Sequence, residues 1–150
     1  MTMARLKPLS APPASADEVE QQFYDALQHG DLDRLMAVWA DDEDIACVHP
    51  GGPRVTGSSA IRASFEAIFA NGVIAALPQR VRRLLSHGCA VHNVLEQVRV
   101  MTQDGPKAAW VVATNVYVNT AEGWRLVTHH ASPGTPHELQ DMPEAMSVLH

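Results

Sequence analysis

Three histidines and one glutamate are the side chains best placed by type and context to move a proton. His49 stands directly before Pro50 and the pair Gly51-Gly52. Proline pushes the preceding residue toward extended geometry, and the glycines permit a tight turn, so His49 is expected at the end of a strand on a rigid bend. An imidazole, with a reference pKa near ~6.5, can give or take a proton near neutral pH. Facing a pocket it would be an acid/base; facing a backbone group it would be an idle turn residue. Glu96 lies between Val94 and Val98, and strand alternation puts it on one face with both valines and His92. A carboxylate in that setting is either a pocket acid with a raised pKa or the partner of an arginine such as Arg80 or Arg82. His129 and His130 are adjacent in a strand, so they face opposite sides and cannot bind one metal together. Trp124, Leu126, Thr128 and His130 share one parity. If Trp124 packs beneath helices, His130 lines the inner side and His129 the outer one.

Other chemistries find less support. His49, His92, Glu96 and His130 suit a metal, but they contain no short-spaced ligand pair, and neither a metal nor a cofactor is expected. Gly51-Gly52 and Gly57 match neither nucleotide-binding fingerprint. Ser58 and Ser59 read as helix caps. Cys47, on the strand face of Ile45 and His49, reads as a small buried hydrophobe. Cys47 and Cys89 are the two cysteines. They form no Cys-x-x-Cys and no disulfide framework, which suits free thiols in a reducing cytoplasm.

Three helices and a sheet must hold these groups. Ser15-Ala16-Asp17-Glu18 is a capping box opening an apolar stripe of Val19, Phe23, Ala26 and Leu27, ended by His29-Gly30. Asp31 caps a short second helix with Leu32, Leu35, Met36 and Trp39. After an acidic break at 41–44, a strand over 45–48 leads into the His-Pro-Gly-Gly bend, and residues 53–56 can pair back across it. Gly57-Ser58 opens a third helix with Ile61, Phe65, Ile68 and Phe69 inward, and Asn71-Gly72 ends it. Pro78 is expected to close the connection. Residues 80–86, 90–102, 108–119 and 124–132 are then rich in β-branched types and separated by turn sequences, a meander of long antiparallel strands. The class is α+β. Residues 1–15 read as a flexible leader, 16–134 as one domain, and 135–150 as a surface-wrapping tail.

The totals exclude several functions. The 150 residues suit one domain with a real core. A net charge of −6 argues against nucleic acid or an anionic membrane as partner. No run of about 18 apolar residues exists for a membrane span, and the N-terminus lacks the apolar block of a secretory signal.

The order of these pieces resembles the nuclear transport factor 2-like superfamily, and within it the SnoaL-like proteins. Gly30-Asp31-Leu32, Trp39-Ala40-Asp41-Asp42, Thr56-Gly57 and the closing run from Gly123 to Ser132 carry the resemblance. It implies a cone, a strongly bent sheet wrapped around helices with a pocket at the open end, and dimerisation through the outer sheet face. The unalternating apolar run 111–118 implies independently that both faces avoid water, one against the helices and the other under a partner copy, with shielding by the C-terminal tail as the alternative. The stretch 45–61 is similar to the segment carrying the general base in the family's steroid isomerases, with His49 where those enzymes keep an aspartate. Their oxyanion donors are a helix-one tyrosine and a late-strand acid. By position these fall here at Phe23 and Thr114, with Tyr24 turned about 100° away around the helix. Losing such a donor costs about 3 kcal/mol or more, so a ketosteroid isomerase is not expected. The closing strand also resembles that of the association domain of calmodulin-dependent kinases.

The expectation is therefore a small, largely apolar molecule inside the cone. Phe23, Trp39, Phe65, Trp110 and Asn115 would line its pocket, and His49, Glu96 and His130 would do the chemistry. The activity expected is an isomerase, lyase or cyclase without cofactor. The alternative is a non-catalytic binding or dimeric assembly module.

Overall fold

A computed structural model describes residues 12–135. The first helix, α1 (Ala16–His29), starts where Ser15 Oγ accepts the Glu18 N–H, and Glu18 reaches back to the Ala14 N–H. It ends at Gly30, whose φ of 64° is the left-handed cap that lets its N–H close on the last carbonyls. Asp31 caps α2 (Leu32–Ala37) by accepting the Arg34 N–H. Strands β1 (Ala46–Val48) and β2 (Arg54–Thr56) pair back to back across the His49 bend, where the Gly52 N–H bonds the His49 carbonyl. The third helix, α3 (Ser58–Phe69), is capped at Gly57 without a side-chain hydrogen bond, so Ser58 and Ser59 do not serve as its caps.

Four long strands complete the elements of the described residues: β3 (Ala76–Ser86), β4 (Cys89–Thr102), β5 (Gly105–Thr120) and β6 (Gly123–Pro133). With β1 and β2 they form one open six-stranded sheet in the order β2-β1-β6-β5-β4-β3. The α+β cone of the sequence reading is the fold observed. One pairing departs from a purely antiparallel sheet, because β1 runs parallel to β6. Pro78 does not close the connection but lies inside β3, an edge strand that can spare a backbone donor. Two residues further on, Arg80 takes a positive φ of 44° where the β3–β4 register shifts, and the strand bends there.

A second irregularity matters more. Tyr117 pairs with Leu126 but Val116 pairs with Thr128, which leaves Val127 as an extra residue in β6. Such a bulge resets which side chains face inward. Leu126 and His129, three residues apart, are therefore both buried, while His130 is exposed.

The concave face of the sheet closes over α1, burying Val19, Glu20, Phe23, Tyr24, Ala26 and Leu27 in one broad arc. A helix lying in a trough buries more of its circumference than one lying on a flat sheet. Ile61 and Phe65 of α3 close the core from the other side. The leader and tail expectations fall almost wholly outside the described residues, and among those residues no helix is long and apolar enough to cross a membrane.

The left-handed cap gives a simple test. Gly30→Ala places a Cβ 3.1 Å from Val73 Cγ1 in a backbone conformation that alanine resists. It should lower the urea-unfolding midpoint by the equivalent of about 1 kcal/mol or more.

Candidate functional site

Among the polar side chains buried in the cone, four form a continuous line. Tyr24 on α1 donates its hydroxyl to Glu96 Oε2 at 2.7 Å. Asn115 on β5 donates Nδ2 to that same Tyr24 oxygen at 3.0 Å. On the neighbouring strand, His129 Nδ1 meets Asn115 Oδ1 at 2.5 Å. All four side chains are buried, with Glu96 5% exposed and Asn115 fully covered. Register explains the convergence: Asn115 sits opposite His129 on β6 and opposite His92 on β4, and Glu96 follows one alternation beyond Val94 on the same face.

The chain has a direction. An amide carbonyl can only accept, so His129 holds its proton on Nδ1 and gives it to Asn115 Oδ1. Asn115 then offers N–H to Tyr24, and Tyr24 offers O–H to Glu96. Every donor points toward the carboxylate, and hydrogen bonds aligned head to tail polarise one another. Burial pushes the Glu96 carboxyl up from its ordinary value to about 7, while the Tyr24 hydrogen bond pulls in the opposite direction. Burial, reinforced by the adjacent Glu96, holds Tyr24 well above the usual phenol range. Burial, together with repulsion from His49 and His130, lowers His129 to about 3 and keeps the ring neutral. The line thus ends in a carboxyl that changes charge near neutral pH, preceded by three neutral donors.

His49 stands beside this line, half-buried on the bend after β1. Its Nε2 lies 3.1 Å from Ser64 Oγ and 3.8 Å from Cys47 Sγ, and its ring meets Phe65 edge-on at 4.8 Å. Burial lowers its pKa from the ordinary value. Phe23 packs 5.0 Å from the His129 ring and 6.4 Å from Phe65. Cys47 is fully buried, and desolvation raises its thiol to about 12, which suits a core residue and not a nucleophile.

Several expected positions need correction. His130 points away from the interior and pairs with Thr114 on the convex side, because the Val127 bulge exchanges it with His129. Trp110 alternates with Val112, Thr114 and Val116 along an unbroken β4–β5 register, so it too lies on the convex face, opposite to Asn115. Tyr24 is not turned away from the site but is its centre. The trough around α1 is wide enough to take Phe23 and Tyr24 side by side, their rings 5.0 Å apart. Glu96 takes its hydrogen bond from this tyrosine. Phe23, Phe65 and Trp39 are core residues, and Trp39 bridges to Leu126 with a buried indole N–H that makes no hydrogen bond. A separate groove of about 470 Å³ lies between Gln28, Leu77, Arg99 and Lys107, and none of the expected lining residues borders it.

One sequence signal could have located Tyr24. Glu20 and Tyr24 are four apart on α1, a polar stripe beside the apolar one. The reassignment of His129 depends on a bulge that leaves no mark in the residue types.

The fold is shared with solved proteins of the NTF2-like type. A protein from Novosphingobium aromaticivorans, described as NTF2-like with a cystatin-like fold, superposes with a TM-score of 0.65 at 19% identity, covering 91% of this chain and 92% of that one. A candidate dehydratase of the NTF2-like family from Streptomyces avermitilis is 28% identical, with a TM-score of 0.71 over 79% of this chain and 94% of its own. A candidate calcium/calmodulin-dependent protein kinase type II association domain from Thiobacillus denitrificans is 33% identical, with a TM-score of 0.74 over 83% and 98%. Among curated proteins there is no match. The SnoaL-like domain family matches residues 17–136, and the chain belongs to that family.

The buried carboxyl should be visible in stability. An acid whose folded pKa is raised favours the fold fully below its unfolded pKa, and that contribution is lost as pH rises through the folded pKa. For Glu96 the window runs from 4.5 to about 7. Across it the wild type should lose roughly 3 kcal/mol relative to Glu96→Gln, read as the difference between two urea-unfolding series. His129 acts with the opposite sign, losing stability as pH falls from 6.5 toward about 3, so the variant difference and not the wild-type curve isolates Glu96.

Proposed function

We propose that this SnoaL-like domain binds a small, largely apolar molecule inside the cone and moves a proton on it, in an isomerase- or lyase-type reaction. The observation that carries this reading is the directed, buried chain His129–Asn115–Tyr24–Glu96. A carboxyl with a pKa of about 7 is matched to accepting and returning a proton at neutral pH. When substrate binds, the Tyr24 hydroxyl, held by Asn115, turns its single proton from Glu96 to the oxyanion forming on the substrate. Asn115 and neutral His129 are positioning residues, and Phe23 and Phe65 supply the apolar wall. His49 is a second titratable group toward the edge of the cone, where Ser64 orients it. This assignment keeps Glu96 and His49 in the chemistry and puts Tyr24 and His129 where His130 was expected. Free Cys47 and Cys89 are compatible with a reducing cytoplasm.

A planar phenol tests the arrangement, because its oxyanion resembles an enolate. 2-Naphthol should bind the wild type, with its fluorescence reporting the complex. Tyr24→Phe and Glu96→Gln should each weaken binding by about tenfold, the equivalent of one lost hydrogen bond, while His130→Ala should leave it unchanged. Equal affinities across all four proteins, each folded by its melting curve, would reject the ligand role of the chain.

A second reading concerns assembly, favoured by the 33% identity to a candidate kinase association domain. Val91, Leu95, Trp110, Val112 and Val116 form a half-buried apolar band on the convex face. Pairing of two copies through this face would cover it and would leave the interior chain intact. Sedimentation velocity should show a dimer that Val112→Glu converts to monomer; a monomeric wild type at tens of micromolar would reject this interface.

A further inference from the structure

Beyond the line of side chains ending at Glu96, a second polar cluster lies where the start of α1 crosses β3 and β4. Its members are Asp17, Glu20 and His92, each able to place one ligand atom within 4.8 Å of the others. Two are deeply buried, His92 at 2% exposure and Glu20 at 6%. His92 Nδ1 and Glu20 Oε2 face one another at 3.4 Å, yet neither atom makes a hydrogen bond. The hydroxyl of Tyr117, whose ring packs 4.8 Å from the His92 ring, is also buried without one.

Buried polar atoms are nearly always paired, and each orphan costs about 1–3 kcal/mol. A cluster in which two orphaned atoms, His92 Nδ1 and Glu20 Oε2, face one another has an unfilled requirement. The separation says what would fill it. At 3.4 Å the nitrogen and oxygen are too far apart for a strong hydrogen bond. Two ligands at about 2.0–2.1 Å from a tetrahedral metal are separated by roughly 3.4 Å. We propose that Asp17, Glu20 and His92 form a site for a divalent transition metal, with zinc the best match to one imidazole and two carboxylates.

Each residue has a defined part. His92 binds through Nδ1 and Glu20 through Oε2, both already fixed by burial. Asp17 is the mobile ligand: its largely exposed carboxylate lies 2.8 Å from Arg83 Nε and 3.7 Å from His92 Nε2, and it joins the site by leaving Arg83 and swinging to the Nδ1 side of the ring. Arg83 also approaches Glu20 Oε1 at 3.6 Å, so its guanidinium is the cation with which a metal competes. Arg83 is half-exposed, and an exposed ion pair of this kind holds only weakly. Three protein ligands leave a fourth position of a tetrahedral ion for a water or another exogenous ligand. Asp17 and Glu20 come from one turn of α1 and His92 from β4, so ligand spacing along the chain does not reveal the set.

This inference is independent of the proposed proton transfer, and calorimetric zinc titration of the chelator-treated full chain tests it. The wild type should bind one zinc ion with a Kd of about 10 μM or tighter. Asp17→Asn, a change at an exposed residue, should weaken binding about tenfold, and Glu20→Gln by more. Arg83→Ala should tighten binding several-fold by removing the rival cation, a result that zinc held by other histidines would not give. Cobalt(II) should report the same site by visible absorption of a low-coordinate nitrogen–oxygen set. Absence of saturable binding below about 100 μM, or binding unaltered by Asp17→Asn and Arg83→Ala, would overturn the assignment.

Discussion

The structure depends on how a carboxyl group is kept inside an apolar cone. Removing a carboxylate from water is expensive, and an isolated one would simply remain protonated. Glu96 avoids that outcome because three donors are arranged in series behind it. Burial raises its pKa and the Tyr24 hydroxyl restrains the rise, leaving the group poised near 7. The balance makes Glu96 a switchable charge instead of a permanent one.

That arrangement constrains the rest of the fold. Tyr24 reaches Glu96 only because the sheet curves around α1 and accepts two adjacent aromatic residues in its trough. Asn115 meets His129 only because the two strands lie in the register imposed beyond the Val127 bulge. A one-residue slip in β6 would turn His129 to solvent and leave the Asn115 carbonyl buried without a donor. The capped start and left-handed end of α1 fix the helix along its axis and hence the height of Tyr24 in the cone. The same height brings Glu20 to His92, so one placement of α1 serves both polar clusters.

Much of the fold was legible because its signals are local. The capping box at Ser15, the glycine at position 30, the Asp31 cap and the turn sequences between strands each act within a few residues, and the elements follow them closely. The candidate site was less legible for a definite reason. Alternation along β4 places Glu96 on the face of His92 and Val94, and alternation along β5 places Trp110 on the face opposite to Asn115, and this much was within reach of the sequence. His129 and His130 were exchanged because counting parity from Trp124 assumes a regular strand, and the bulge lies between. Tyr24 was turned away because a narrow helical stripe suits a flat sheet, whereas curvature is a property of the assembled sheet and not of any segment. Glu20 and His92 meet only through tertiary placement of α1 against β4.

The family relationship gives this reading its context without supplying the chemistry. A SnoaL-like cone can be shared by a candidate dehydratase and by a candidate kinase association domain, so activity must be argued from the side chains inside. In this chain those side chains form a line with one orientation, and that orientation rests on the tautomer of a single ring. The most direct test is the protonation state of His129, followed by long-range proton–nitrogen NMR across an acid titration. His129 should remain neutral, with its proton on Nδ1, down to about pH 4, in keeping with a pKa of about 3. A proton on Nε2, or titration near 6.5, would mean that the donor chain is broken at its first link.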